Sequence, residues 1–128
     1  MAIAFVLVGL AVGSFLNVCI DRLPAGQSLF KPRSHCPACG KTLGVRDLIP
    51  VASYLLLRGR CRYCSAPIPI RVLLVEAGTG LSFLLLWWRF GLSTEMALAA
   101  VVLCAIIVIA VIVSESRAVA GPSKEKPQ

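Results

Sequence analysis

Two Cys-x-x-Cys pairs, Cys36-Pro-Ala-Cys39 and Cys61-Arg-Tyr-Cys64, stand with 21 residues between them. Each pair can put two sulfurs on one turn, and two such turns facing each other supply the four soft ligands of a closed tetrahedral zinc site. Gly40 directly follows the first pair, where the turn after a metal knuckle calls for positive φ. Five cations, Arg33, Lys41, Arg58, Arg60 and Arg62, flank the cysteines and favour their thiolate forms. Two disulfides or a redox dithiol are the rival readings. The charge pattern described below places the loop in the cytosol, where thiols stay reduced, and so favours zinc. His35 could stand in for one sulfur, although a solvated histidine beside the site fits better. Cys19 and Cys104 lie in apolar runs and read as small buried hydrophobes.

A second group of polar residues sits within apolar sequence. Ser14, Asn17 and Asp21 recur at spacings of three and four and share one face of a helix. Glu76 lies inside a later apolar run, with Arg71 about one turn before it. Lipid offers such groups no partners, so they must find their own. Two explanations stay open: hydrogen bonding between helices, aided by the close approach that Gly9 and Gly13 permit in a G-x-x-x-G spacing, or a pocket opening to the cytosol. An Arg71 to Glu76 pair or an Asp21 to Arg22 pair would give the same sequence signature.

The elements that position these groups follow from hydropathy. The chain has 128 residues, 58% of them hydrophobic, and a mean hydropathy of +0.85, too apolar for an ordinary soluble domain. Residues 1–20 carry no charged side chain and are about 30 Å long as a helix, enough to cross the hydrocarbon. A cleaved secretory leader would show basic residues before this run and a small-residue cleavage site after it, and neither is present. Residues 72–90, interrupted early by Glu76, and 96–113 form two further spans. Residues 21–71 hold nine Lys or Arg against two Asp, a net seven positive charges, which the positive-inside rule assigns to the cytoplasm. The Arg89 to Glu95 link then lies outside, with Trp87 and Trp88 at the outer interface, and residues 114–128 form a disordered cytoplasmic tail. Pro24, Gly26 and Pro32 break the chain after the first span, and Asp47 to Leu57 reads as a short helix entered at Pro50, at the membrane surface. The expected fold is thus an all-α membrane protein, three transmembrane helices with a small cytoplasmic four-cysteine zinc-binding loop domain between the first and second. Topology accounts for the basic charge, so nucleic acid is not an expected partner.

Five motifs in order, Gly13-Ser-Phe-Leu-Asn-Val-Cys-Ile-Asp-Arg-Leu-Pro24, Ser34-His-Cys-Pro-Ala-Cys-Gly40, Asp47-Leu-Ile-Pro-Val-Ala-Ser-Tyr54, Arg58-Gly-Arg-Cys-Arg-Tyr-Cys64 and Arg71 with Glu76, resemble the amino-terminal domain of the type IV prepilin peptidases. Those multi-pass proteins of the bacterial inner membrane cleave the leader from prepilins and pseudopilins of type IV pilus and type II secretion systems, and methylate the new amino terminus. The resemblance implies a prepilin or pseudopilin leader as partner, zinc on Cys36, Cys39, Cys61 and Cys64, and a pocket of Ser14, Asn17, Asp21, Arg71 and Glu76. It also implies S-adenosylmethionine as methyl donor, with Glu76 or Asp21 as candidate base, although no glycine-rich nucleotide motif is present. Val72-Leu73 replaces the usual Tyr-Pro. Aligning Glu115 and Arg117 with the family puts Val113 where the first catalytic aspartate belongs, and the later Gly-x-Gly-Asp has no counterpart. An aspartic protease needs two carboxylates able to share a proton. The expectation is therefore a module that does not cleave alone and works with a separate peptidase subunit, or a non-catalytic scaffold that grips pilin-like leaders.

Overall fold

The computed structural model describes residues 1–31 and 33–120. Pro32 and residues 121–128, where a chain break and most of a disordered tail are expected, lie outside the described residues. The architecture is all-helical, with three long helices, α1 (Ala2–Arg22), α3 (Ile70–Phe90) and α4 (Thr94–Val119). A 3₁₀ turn (Val45–Leu48) and a short helix α2 (Ala52–Leu56) lie in the loop between α1 and α3. Each long helix is apolar and long enough to cross a membrane. The expected helix over Asp47 to Leu57 is split in two, because Val51 takes φ +60° and interrupts the helical path after Pro50.

Helices α1 and α3 meet backbone to backbone. A Cβ on Gly9 would fall 2.7 Å from the Gly80 Cα, and one on Gly13 would fall 2.8 Å from the Glu76 Cα. The G-x-x-x-G spacing therefore serves the close approach expected of it. Thr79, fully buried at this seam, satisfies its hydroxyl by donating to the Val75 carbonyl at 2.6 Å. Leu16, Ile20 and Val75 form the core, and α4 lays Cys104, Ile107, Val108, Val111 and Ile112 against it. Cys19 is buried and Cys104 partly so, both as free thiols. At the far end Phe5 stacks on Trp87, ring centroids 5.4 Å apart, while Trp88 is exposed.

Helix α3 stops at Gly91 (φ +62°), and Ser93 caps α4 by accepting the Met96 N–H. Only three residues separate the two helices, so they run antiparallel. α4 is the most apolar and the least covered of the three, with only 11% of its apolar window buried. It also runs past the expected limit at Val113. Residues 114–119 are helical where a disordered tail is expected, because no proline or glycine lies between Gly91 and Gly121 and Glu115 reaches back to Arg71 on α3. Ser114 and Ser116 donate their hydroxyls to the Val111 and Ile112 carbonyls of the same helix, which keeps them compatible with it.

Candidate metal centre and polar cluster

Two similar hairpins build the sulfur site. In the first, the Cys36 N–H donates to Lys41, the Gly40 N–H to Cys36 and the Leu43 N–H to Ser34. In the second, the Cys61 N–H donates to Ala66, the Ser65 N–H to Cys61 and the Ile68 N–H to Gly59. Gly40 (φ +71°) and Ser65 (φ +58°) occupy the same place, directly after the second cysteine of each pair. The glycine is legible in the sequence and the serine is not, since a non-glycine residue accepts this conformation only under local constraint.

The four Sγ atoms of Cys36, Cys39, Cys61 and Cys64 lie within 4.8 Å of one another, and the Cys36 and Cys64 sulfurs are 3.7 Å apart. A regular tetrahedron with zinc–sulfur bonds of about 2.3 Å has edges of about 3.8 Å. The donor set and spacing therefore fit a four-coordinate soft metal. His35 is exposed, bonded through Nδ1 with the Arg33 carbonyl, and is not among the clustered groups. The N–H groups of Cys39 and Ala38, followed by neighbouring thiols, draw the Cys36 thiol down to about 6. Cys64 is pulled down by the Ala66 N–H, but burial and the thiols of Cys61, Cys36 and Cys39 outweigh it and push it up to about 12. One sulfur thus ionises readily and its neighbour resists, as crowded like charges dictate.

Two of the flanking cations are occupied elsewhere. Arg62 donates to Asp47 at 2.7 Å and Lys41 sits 4.9 Å above the Tyr63 ring. Backbone N–H groups therefore do the electrostatic work expected of them at Cys36. Arg62 holds the Asp47 carboxyl below its ordinary value, and Asp47 also accepts the Gly44 N–H, tying the 3₁₀ turn to the second hairpin.

The polar groups of the helices gather where α1, α3 and α4 meet the loop. Arg71 donates to Asp21 at 2.6 Å, and its Nε lies 3.2 Å from a Glu115 oxygen. The second contact is an ion pair without hydrogen-bond alignment, since Arg71 Nε and Nη1 have no hydrogen-bond acceptor among the described residues. Asn17 donates from Nδ2 to the Val72 carbonyl, and its buried Oδ1 has no partner among the described residues. Glu76, 5% exposed, accepts the Val51 N–H at 2.7 Å, with Ser14 alongside it. Neither pairing left open by the sequence occurs: Arg71 turns to Asp21 and Glu115 rather than Glu76, and Arg22 donates to the Ser28 carbonyl. The five expected pocket residues thus lie toward the loop-side ends of α1 and α3 in separate contacts, Arg71 with Asp21, Glu76 with Ser14 and Asn17 with the Val72 carbonyl. A groove of about 500 Å³ opens between α3 and α4, lined by Val75, Thr79, Ile107 and Val111, with Arg71 and Glu115 at one end.

Residues 7–90 match the Bacterial Peptidase A24 N-terminal domain. The chain belongs to that family. It is 46% identical to the prepilin leader peptidase/N-methyltransferase of Myxococcus xanthus (strain DK1622), over 87% of this chain and 33% of the relative. It is 42% identical to a type 4 prepilin-like proteins leader peptide-processing enzyme of Escherichia coli O78:H11 (strain H10407 / ETEC), over 82% and 45%. The prepilin leader peptidase/N-methyltransferase of Bacillus subtilis (strain 168) is 37% identical over 80% and 42%. The chain thus spans a third to a half of the length of these relatives. No solved structure matches it.

Two residues escaped the sequence reading, Val51 inside the matched A24 N-terminal domain and Glu115 beyond it. Glu115 reads as tail because its partner Arg71 is 44 positions away, and nothing local announces a long-range ion pair. Val51 enters through its N–H, which no side-chain pattern can reveal. The domain shows no cradle for an adenosyl group among the described residues. The groove is largely aliphatic, and among the described residues no glycine-rich turn leads into a helix.

Proposed function

We propose that this chain is a zinc-bearing, leader-engaging module for prepilin or pseudopilin processing, seated in the bacterial inner membrane with its loop on the cytoplasmic side. The relatives' names supply the substrate class, and the seven net positive charges of residues 21–71 support the orientation. The observation that carries the reading is the commitment of the loop-side carboxylates. Asp21 and Glu115 converge on one guanidinium, so each is engaged with Arg71 rather than with the other. Asp47 is held by Arg62, and Glu76 by the Val51 N–H. Leader cleavage would need a carboxylate pair that activates water, and in this reading such a pair comes from outside residues 1–120. A structural zinc on Cys36, Cys39, Cys61 and Cys64 would contribute folding energy to the loop and no chemistry.

Glu76 would then position the loop instead of accepting a proton. The purified chain in nanodiscs, mixed with a prepilin whose leader carries a photocrosslinker, should capture the leader on the loop and leave its mass unchanged. Cleavage, or an added methyl mass on a precleaved pilin, would overturn the non-catalytic assignment. Absence of any crosslink would overturn the leader-binding assignment.

A further inference from the structure

Glu76 lies six residues into α3 from Ile70, about 9 Å along the axis at 1.5 Å per residue. Its carboxylate accepts the Val51 N–H at 2.7 Å. This bond ties the start of the α2 segment to the first turns of a membrane-spanning helix. The segment exposes Ile49 (46%), Leu55 (61%) and Leu56 (81%). Its backbone is largely satisfied internally, with the N–H groups of Ser53, Leu55 and Leu57 donating to Ile49, Val51 and Ser53. The Ser53 hydroxyl also donates to the Ile49 carbonyl. A segment with few open backbone groups, exposed aliphatic side chains and an attachment to a side chain rooted about 9 Å along α3 suits the boundary between headgroups and acyl chains.

Charge specifies the lipid. No Asp or Glu occurs between Leu48 and Arg71, whereas Arg58 and Arg60 follow the segment directly and are exposed. Long basic side chains at that level can reach outward to phosphate while their stems lie on apolar surface.

We infer that Ile49–Leu57 is an interfacial anchor, its Ile49, Leu55 and Leu56 side chains immersed in the bilayer surface and Arg58 and Arg60 holding anionic phospholipid headgroups. The inference rests on the long helices spanning the bilayer. It makes the bilayer surface, rather than another protein, the partner that covers these leucines. It also gives Glu76 a second task, setting how deeply the anchor lies.

The test uses the full chain in nanodiscs, with Trp87→Phe and Trp88→Phe removing its two native indoles. Leu56→Trp, repeated as Leu55→Trp, reports lipid contact by quenching from phospholipids brominated high or low on the acyl chain. Leu85→Trp, on the exposed face of α3, serves as the control for the span. The anchor predicts severalfold stronger quenching at Leu56→Trp by the high bromines than by the low ones. It predicts a further increase when an anionic phospholipid is included, lost in Arg58→Gln/Arg60→Gln. A quenched Leu85→Trp beside unquenched indoles at positions 55 and 56 would overturn the anchor and leave the spans standing. Quenching at none of the three positions would overturn both. Quenching indifferent to anionic lipid would overturn the headgroup assignment.

Discussion

Replacing Glu76 by alanine removes the acceptor of the Val51 N–H and leaves a partly buried donor without a partner. An unsatisfied group of this kind costs about 1–3 kcal/mol, and the lost bond was to a carboxylate, which puts the penalty toward the upper end. Val51 is also a β-branched residue at φ +60°, a conformation worth about 1–3 kcal/mol of strain that neighbouring structure must hold in place. Once the acceptor is gone, the segment gains by relaxing Val51 into an extended conformation, so both effects favour opening. Opening by about 2 kcal/mol is a factor of roughly 30 in the closed-to-open ratio. Hydrogen exchange of the intact chain in nanodiscs, followed over residues 48–57, should therefore accelerate by about one to two orders of magnitude in Glu76→Ala. Exchange in the middle of α1 should stay unchanged. Glu76→Gln keeps an acceptor oxygen and should lose less protection than alanine. Val51→Gly keeps the N–H and removes the steric penalty, so it should slow exchange relative to Glu76→Ala and approach the parent. Unchanged exchange over 48–57 in Glu76→Ala would refute the argument, because the carboxylate would not then be holding the loop.

Three further outcomes follow from the same geometry. The purified chain should carry one zinc, and Cys36→Ser or Cys61→Ser should abolish it together with exchange protection in both hairpins, since metal-binding energy is folding energy in such a module; elemental analysis with exchange checks it, and an ordered loop without metal would contradict it. The folded hairpin draws the Cys36 thiol to about 6 from an ordinary value of 9.0, and chelation that unfolds the loop should return it toward that ordinary value. Alkylation of Cys36 in chelated protein, read by mass spectrometry, should then rise with a midpoint near pH 9.0, and a midpoint near 6 would show hairpins that stay folded without metal. Gly9→Val puts a Cβ 2.7 Å from the Gly80 Cα and should separate α1 from α3, destabilising the chain by about 1–3 kcal/mol, whereas Gly78→Ala meets open space and should be silent in thermal unfolding.

The parts legible in the sequence are those set by local repetition. Apolar runs placed the three helices, paired cysteines placed the sulfur cluster, and Gly9 with Gly13 marked the α1 to α3 seam. The polar set Ser14, Asn17, Asp21, Arg71 and Glu76 was legible only as residues toward the loop-side ends of two helices, because helical spacing fixes depth along each helix. Its wiring was not. Arg71 had three carboxylates within plausible reach, and the choice of Asp21 and Glu115 over Glu76 depends on how α4 lies against α3. The extension of α4 to Val119 was hidden for the same reason, since the polar composition of residues 114–119 suits a tail until Arg71 gives Glu115 a partner. Cations near a thiol in sequence were misleading too, because Arg62 and Lys41 found Asp47 and Tyr63 instead.

Three of the attachments among the described residues differ in how readily they can yield. The glycine seam joins backbones directly and cannot shift without separating the helices. The Arg71 tie reaches α4 through Glu115, whose side chain is 51% exposed, so it holds α4 by no more than about 1 kcal/mol. With so little of α4 covered otherwise, α4 is the helix that can move against a fixed α1 to α3 pair. The Val51 to Glu76 bond lies on that fixed pair and does not involve α4. A displacement of α4 would therefore open the groove beside Arg71 while the metal loop stays in register with α1 and α3. Breaking the Arg71 tie should accordingly loosen α4 in exchange experiments and leave residues 48–57 as protected as before, the opposite pattern from Glu76→Ala.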